Sequence, residues 1–150
     1  MIQALKYQQQ ESLACFLGEL LAETVRDRLG NQDWEGVVPV PLHPTRQRER
    51  SFNQAERLAQ KLAKALQLPL QTGWLIRTRA TRPQAELDRE DRLRNLQYAF
   101  ALKSSEPIPF SRLLLVDDVL TTGATASACA RLLKTAGVGQ IAVVAVAHGG

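Results

Sequence analysis

Between residues 11 and 29 the apolar side chains Leu13, Leu17, Leu20, Leu21 and Val25 return every three or four positions, which is the stripe of an amphipathic helix. Gly30 and Asn31 supply its stop. Residues 37–42 (VVPVPL) then form a valine-rich run whose prolines predict a strand that ends quickly and turns between Pro41 and Pro44. Ser51 and Gln54 have the spacing of a capping box, and Ala55, Leu58, Ala59, Leu62, Ala63 and Leu66 behind them predict a second helix. Residues 70–78 (LQTGWLIRT) predict a strand, and the polar stretch 79–97 a loop passing into a short helix once Pro83 is cleared. Another strand is predicted at 98–102 (YAFAL), then a connection at 104–109 and a fully buried strand at 112–119 (RLLLVDDV). Ala126, Cys129, Leu132 and Leu133 share one face of a helix over 125–136 that Gly137 closes, and 141–147 (IAVVAVA) is the last strand.

Strands that are continuous apolar runs, alternating with helices, predict an α/β fold with a mainly parallel, doubly wound sheet covered on both faces. Ligands of such sheets bind beyond the carboxyl ends of the strands. The chain has 150 residues, 45% of them hydrophobic, and no composition shift, so one domain over 1–150 is expected, with 1–30 as a helical cover. Cys15 and Cys129 stand far apart, in neither a disulfide framework nor a zinc-ligand spacing. No secretory pattern opens the chain and no apolar run reaches the roughly 20 residues of a membrane span, which predicts a soluble, cytoplasmic protein. Net charge is +4, and the arginines gather at Arg46, Arg48 and Arg50 and again from 77 to 94. Taken singly, such arginines ordinarily serve as solvated surface.

Residues 113–125 (LLLVDDVLTTGAT) carry the densest chemistry. The turn Thr121, Thr122, Gly123, Ala124, Thr125 lies between a strand end and a helix start, where unpaired N–H groups and the helix dipole favour an anion. Small residues let a phosphate approach the backbone, and the three hydroxyls add donors. Asp117 and Asp118 just upstream would repel that phosphate; they require donors or a cation. A sugar diol supplies the donors. The pair can also help hold Mg²⁺, a hard ion that takes carboxylates, waters and substrate phosphates. The motif therefore predicts recognition of a ribose 5-phosphate.

VDDVLTTGAT resembles the phosphoribosyl-pyrophosphate (PRPP) signature of type I phosphoribosyltransferases, and residues 38–59, 82–100 and 4–7 (ALKY) resemble the ComF family, competence-associated proteins of the amidophosphoribosyltransferase-like group. The resemblance implies the parallel sheet argued above and Mg²⁺-dependent transfer of a 5-phosphoribosyl group from PRPP to an unidentified acceptor. It implies that the turn at 43–50 faces the pyrophosphate, with Arg46, Arg48 and Arg50 as candidates, and that 78–93 belongs to a loop closing over the ligand. The alternative is a non-catalytic accessory of DNA uptake and recombination that binds nucleotide or single-stranded DNA. Candidate partners are accordingly PRPP, single-stranded DNA, competence or recombination proteins and a second copy in a homodimer. The cysteine-rich zinc-binding segment usual before the ALKY-like region has no counterpart in this sequence. Thr121 stands where hypoxanthine-type relatives begin the turn with an aspartate, and neither His43 nor His148 is marked as a general base, so no catalytic base is identified.

Overall fold

A computed structural model describes residues 2–30, 32–41, 54–78, 99–120 and 122–148. Along them run α1 (Ile2–Leu29), β1 (Gly36–Pro39), α2 (Gln54–Leu66), β2 (Leu75–Arg77), β3 (Phe100–Leu102), β4 (Arg112–Leu120), α3 (Ala124–Thr135) and β5 (Gln140–His148). β4 is central, parallel to β1 on one side and to β5 on the other, with Val38 opposite Leu115 and Val116 opposite Val144. Beyond β1, Leu70 makes one parallel bridge to Val37, whose N–H donates to the Pro69 carbonyl at 3.0 Å.

The burial of β4 explains its uninterrupted apolar run. Leu113, Leu114, Leu115 and Val116 are all 0% exposed, because neighbours close both of its edges and both of its faces. Leu113 and Leu115 pack with Ala126, Cys129 and Leu133 of α3, whereas Leu114 and Val116 pack with Leu21, Leu58, Ala59 and Leu62 of α1 and α2. Each such leucine removed from water stabilises the fold by about 1.5–3 kcal/mol.

The parallel, doubly covered α/β sheet is as expected, but β2 and β3 do not join it. They form a separate antiparallel ribbon, Arg77 opposite Phe100, whose buried Leu75 and Phe100 lie in the α3-side core. Three-residue strands are too short for an apolar run to reveal which partner they will pair with.

α1 is longer than its apolar stripe suggested, and it is turned differently. Ala14, Gly18, Leu21, Ala22 and Val25 are buried, while Leu13 and Leu20 are 56% and 43% exposed. Close packing on α2 sets this rotation: a Cβ added at Gly18 would overlap the Cβ of Lys61. Glu11 pairs with both Arg57 and Lys61 and so fixes the upper end of the same contact. Gln54 opens α2; Ser51, its expected capping partner, and the helix expected within 79–97 lie outside the described residues.

Candidate functional site

Where β4 leaves the core, its side chains change from fully buried leucines to the half-buried Asp117 and Asp118. The pleat sends successive residues to opposite faces. Asp117 therefore continues the row of Leu113 and Leu115 toward α3, and Asp118 the row of Leu114 and Val116 toward α1 and α2. The two remain linked at the strand end: an Asp117 Oδ1 atom accepts the Asp118 backbone N–H at 2.9 Å.

Burial pushes the Asp117 carboxyl up from 3.8 to about 6, and hydrogen bonding with the Asp118 carboxyl adds to the rise, while the Asp118 N–H and the Arg77 charge act against it. Cys129, beneath it on α3, is pushed up to about 12 by its own burial and then by the Asp117 charge. Its thiol stays protonated and is no nucleophile. Asp117 is thus an ionised acceptor at neutral pH, held in a setting that favours a neutralising donor or cation.

A short turn carries the chain from Leu120 into α3. Gly123 adopts φ 81° and ψ 0°, a left-handed conformation that suits glycine, and α3 has no side-chain cap. The Thr122 hydroxyl accepts the Ala124 N–H at 3.3 Å, and the Gly123 carbonyl accepts the Ser127 N–H at 2.8 Å, the first bond of the helix. A Cβ built on Gly123 meets nothing within 4 Å, so space is open above the helix mouth. Free space at a helix N-terminus with small residues is suited to an anion.

The structure therefore brings Asp117, Asp118, Thr122, Gly123, Ala124 and Thr125 to one end of β4. Thr121, Arg46, Arg48, Arg50 and His43 lie outside the described residues. His148 is opposite Leu120 in register, at the same carboxyl edge of the sheet. No group of three or more His, Cys, Asp or Glu side chains forms a metal cluster among the described residues.

Two features escaped sequence reasoning. Arg77 ends β2 with its guanidinium 5.1 Å from the centre of the Phe100 ring, and its charge reaches both Asp117 and Cys129. In the sequence it is one arginine among many; only the β2–β3 ribbon singles it out. Asp118 also lines a cavity of about 240 Å³ with Gln10, Leu13, Ala14 and Leu17 of α1, Gln54, Arg57 and Leu58 of α2, and Val146 and Ala147 of β5. No local spacing connects residues so far apart along the chain.

Comparison with known proteins agrees with this layout. Residues 52–150 match the family described as phosphoribosyl transferase domain. Competence protein F of Haemophilus influenzae is 38% identical over 99% of the chain, and the DNA utilization protein YhgH of Salmonella typhimurium 35% identical over 95%. The chain spans 66% and 63% of the lengths of these two relatives. A Bacillus subtilis glutamine PRPP amidotransferase, solved with ADP and GMP, superposes with a TM-score of 0.55 at 20% identity over 89% of the chain and 26% of that enzyme, which shows a shared fold. No described helix is long and apolar enough to cross a membrane. With the domain match covering α2, β4, α3, β5 and both aspartates, the chain belongs to the phosphoribosyl transferase domain family.

Proposed function

We propose that the carboxyl edge of β4 binds PRPP and that the chain transfers its 5-phosphoribosyl group to a nitrogen acceptor. One observation carries this reading: two half-buried carboxylates near the end of the central strand stand a few residues ahead of a left-handed glycine that is the N-cap of the following helix. The 5′-phosphate rests on the N–H groups and hydroxyls of Thr121, Thr122, Gly123, Ala124 and Thr125, and the ribose hydroxyls donate to Asp117 and Asp118. In the reaction the C1–oxygen bond to pyrophosphate breaks, a C1–nitrogen bond forms, and the acceptor nitrogen loses a proton.

The donor set fits Mg²⁺, which is usually held by one or two carboxylates together with substrate oxygens, and Asp117 and Asp118 are the residues to hold it. Bound there, the ion supplies positive charge against the departing pyrophosphate. Arg46, Arg48 and Arg50 are the candidates to face the same leaving group. This chain's own contribution is position and charge, as suits a reaction in which the ribosyl centre gains positive character. The names of the curated relatives support a setting in competence and DNA use, for which no described feature of the site selects a DNA strand.

Titration calorimetry with PRPP and excess Mg²⁺ tests the reading. Saturable heat is expected, weakened at least tenfold by Asp118→Asn and by Asp117→Asn. Absence of heat at millimolar PRPP, or single-stranded DNA binding that the two variants weaken equally, would refute it.

A further inference from the structure

We infer that the outer face of α1, with the free edge of β5 beneath it, is where a second copy of this chain docks, the two α1 helices lying antiparallel across the contact. This interface is independent of the PRPP reading. It begins with the half of the α1 stripe that the fold leaves unused. Leu13, Phe16 and Leu20, spaced i, i+3 and i+7 along one helical face, are 56%, 59% and 43% exposed, while Ala14, Ala22 and Val25 are buried.

β5 is the last strand of its sheet, and no described strand pairs with its outer edge. Val143 and Val146 stand exposed there, and no Asp, Glu, Lys, Arg or Pro within Gln140–His148 blunts that edge. A trough separates helix from strand. Its two cavities, of about 240 and 430 Å³, share Leu17 and Val146 in their walls and so join along β5.

The chain also carries the matching knob. Phe16 lines neither cavity and is the most exposed of the three stripe residues. A space of roughly 150 Å³ holds a benzene ring, so either cavity can take the Phe16 ring of another copy. Knob and hole on one surface make the contact self-complementary, as a two-fold interface requires.

A two-fold axis between Phe16 and Leu17 sets the register. Antiparallel helices place Phe16 against the partner's Leu17, Leu13 against the partner's Leu20, and Gln10 against the partner's Glu23. The Gln10 amide can donate to that carboxylate. The two Glu23 side chains then lie about 20 Å apart along the axis at about 1.5 Å per residue, beyond the roughly 8–10 Å over which exposed charges act. A parallel pair would instead set Glu23 beside its own copy.

Area fits a modest dimer. From Gln10 to Arg28 the trough runs about 27 Å, and one helix plus one strand spacing gives it a width of about 15 Å. Two such faces cover roughly 800 Å² in projection and more once side-chain relief is included, at the small end of specific interfaces, near about 1,200 Å². Micromolar association is expected.

Sedimentation equilibrium of the whole chain, from about 1 to about 200 µM, tests this against the expected micromolar constant. A reversible monomer–dimer equilibrium should appear, weakened at least tenfold by Phe16→Glu and by Leu20→Lys. Circular dichroism and the urea midpoint are the controls for folding, since both side chains are exposed in the single chain. The double variant Leu13→Glu with Leu20→Lys should dimerise better than Leu20→Lys alone, because the register brings these positions together between copies. Within one helix they are about 10 Å apart, too far to pair. A chain that stays monomeric at the highest concentration overturns the assignment and leaves the face to an unrelated protein. A dimer that neither single variant weakens overturns it by placing the contact elsewhere, and a double variant no better than Leu20→Lys overturns the antiparallel register on which it stands.

Discussion

Asp117→Asn separates what the site needs from what the fold prefers. Moving a carboxyl from 3.8 in the unfolded chain to about 6 in the folded one corresponds to about 3 kcal/mol against the ionised folded form, at about 1.36 kcal/mol per pH unit. Asp117 is only half-buried and retains solvent contact, which brings the expected cost down to about 1–2 kcal/mol. Because the folded state holds this proton more tightly, stability from this group is greatest below pH 3.8, falls as pH rises, and is fully lost above about 6. Asparagine carries no charge, and its carbonyl can still accept the Asp118 N–H. The variant should therefore be more stable than wild type at pH 7.5, melting roughly 2–8 °C higher, and the gain should shrink on acidification toward pH 4. Urea and thermal melts at several pH values measure this directly, beside PRPP titrations in which the same variant loses affinity. A variant that melts at or below wild type at pH 7.5, with no dependence of the difference on pH, would refute the argument that burial strains this carboxylate.

Gly123→Ala should cost about 1–2 kcal/mol from the left-handed backbone alone, since the added methyl meets open space; urea denaturation measures it, and PRPP affinity should fall with it. Leu114→Ala should destabilise by about 2–5 kcal/mol, because the side chain is wholly enclosed between β4 and the α1–α2 layer; a loss under 1 kcal/mol in chemical denaturation would contradict that packing. Cys15 should react quickly with a thiol reagent at pH 8, whereas Cys129, buried and pushed up to about 12, should react only on unfolding, as two phases of colour release would reveal. Glu11→Gln should cost no more than about 1 kcal/mol, and the cost should shrink in high salt, because its pairs with Arg57 and Lys61 keep solvent contact.

Much of this protein was legible along the chain because its signals are local. The unbroken apolar run of β4 announces a strand buried on both faces, and the small-residue turn after two aspartates announces the start of a helix. Spacing within α2 and α3 marks their buried faces: Ala55, Leu58, Ala59, Leu62 and Ala63 in α2, and Ala126, Cys129 and Leu133 in α3. α1 is the counterexample: Leu13 and Leu20 read as core yet are exposed, because the close approach of Gly18 to Lys61 turns a face of small residues inward. That contact joins positions 43 residues apart, and no periodicity within α1 encodes it.

The same division runs through the site. Sequence order alone placed Asp117 and Asp118 together before the turn that ends in Thr125, and a dipeptide cannot help being adjacent. Their difference is tertiary. The pleat turns Asp117 toward Arg77 and Cys129, where burial raises its proton affinity, and turns Asp118 toward the cavity that α1, α2 and β5 enclose. Charge and hydrogen-bonding capacity belong to a residue wherever it lies, and so could be read from the string. Burial, facing charges and cavity walls arise only when distant segments meet, and here they decide which carboxylate is strained and which one borders the cavity between α1, α2 and β5.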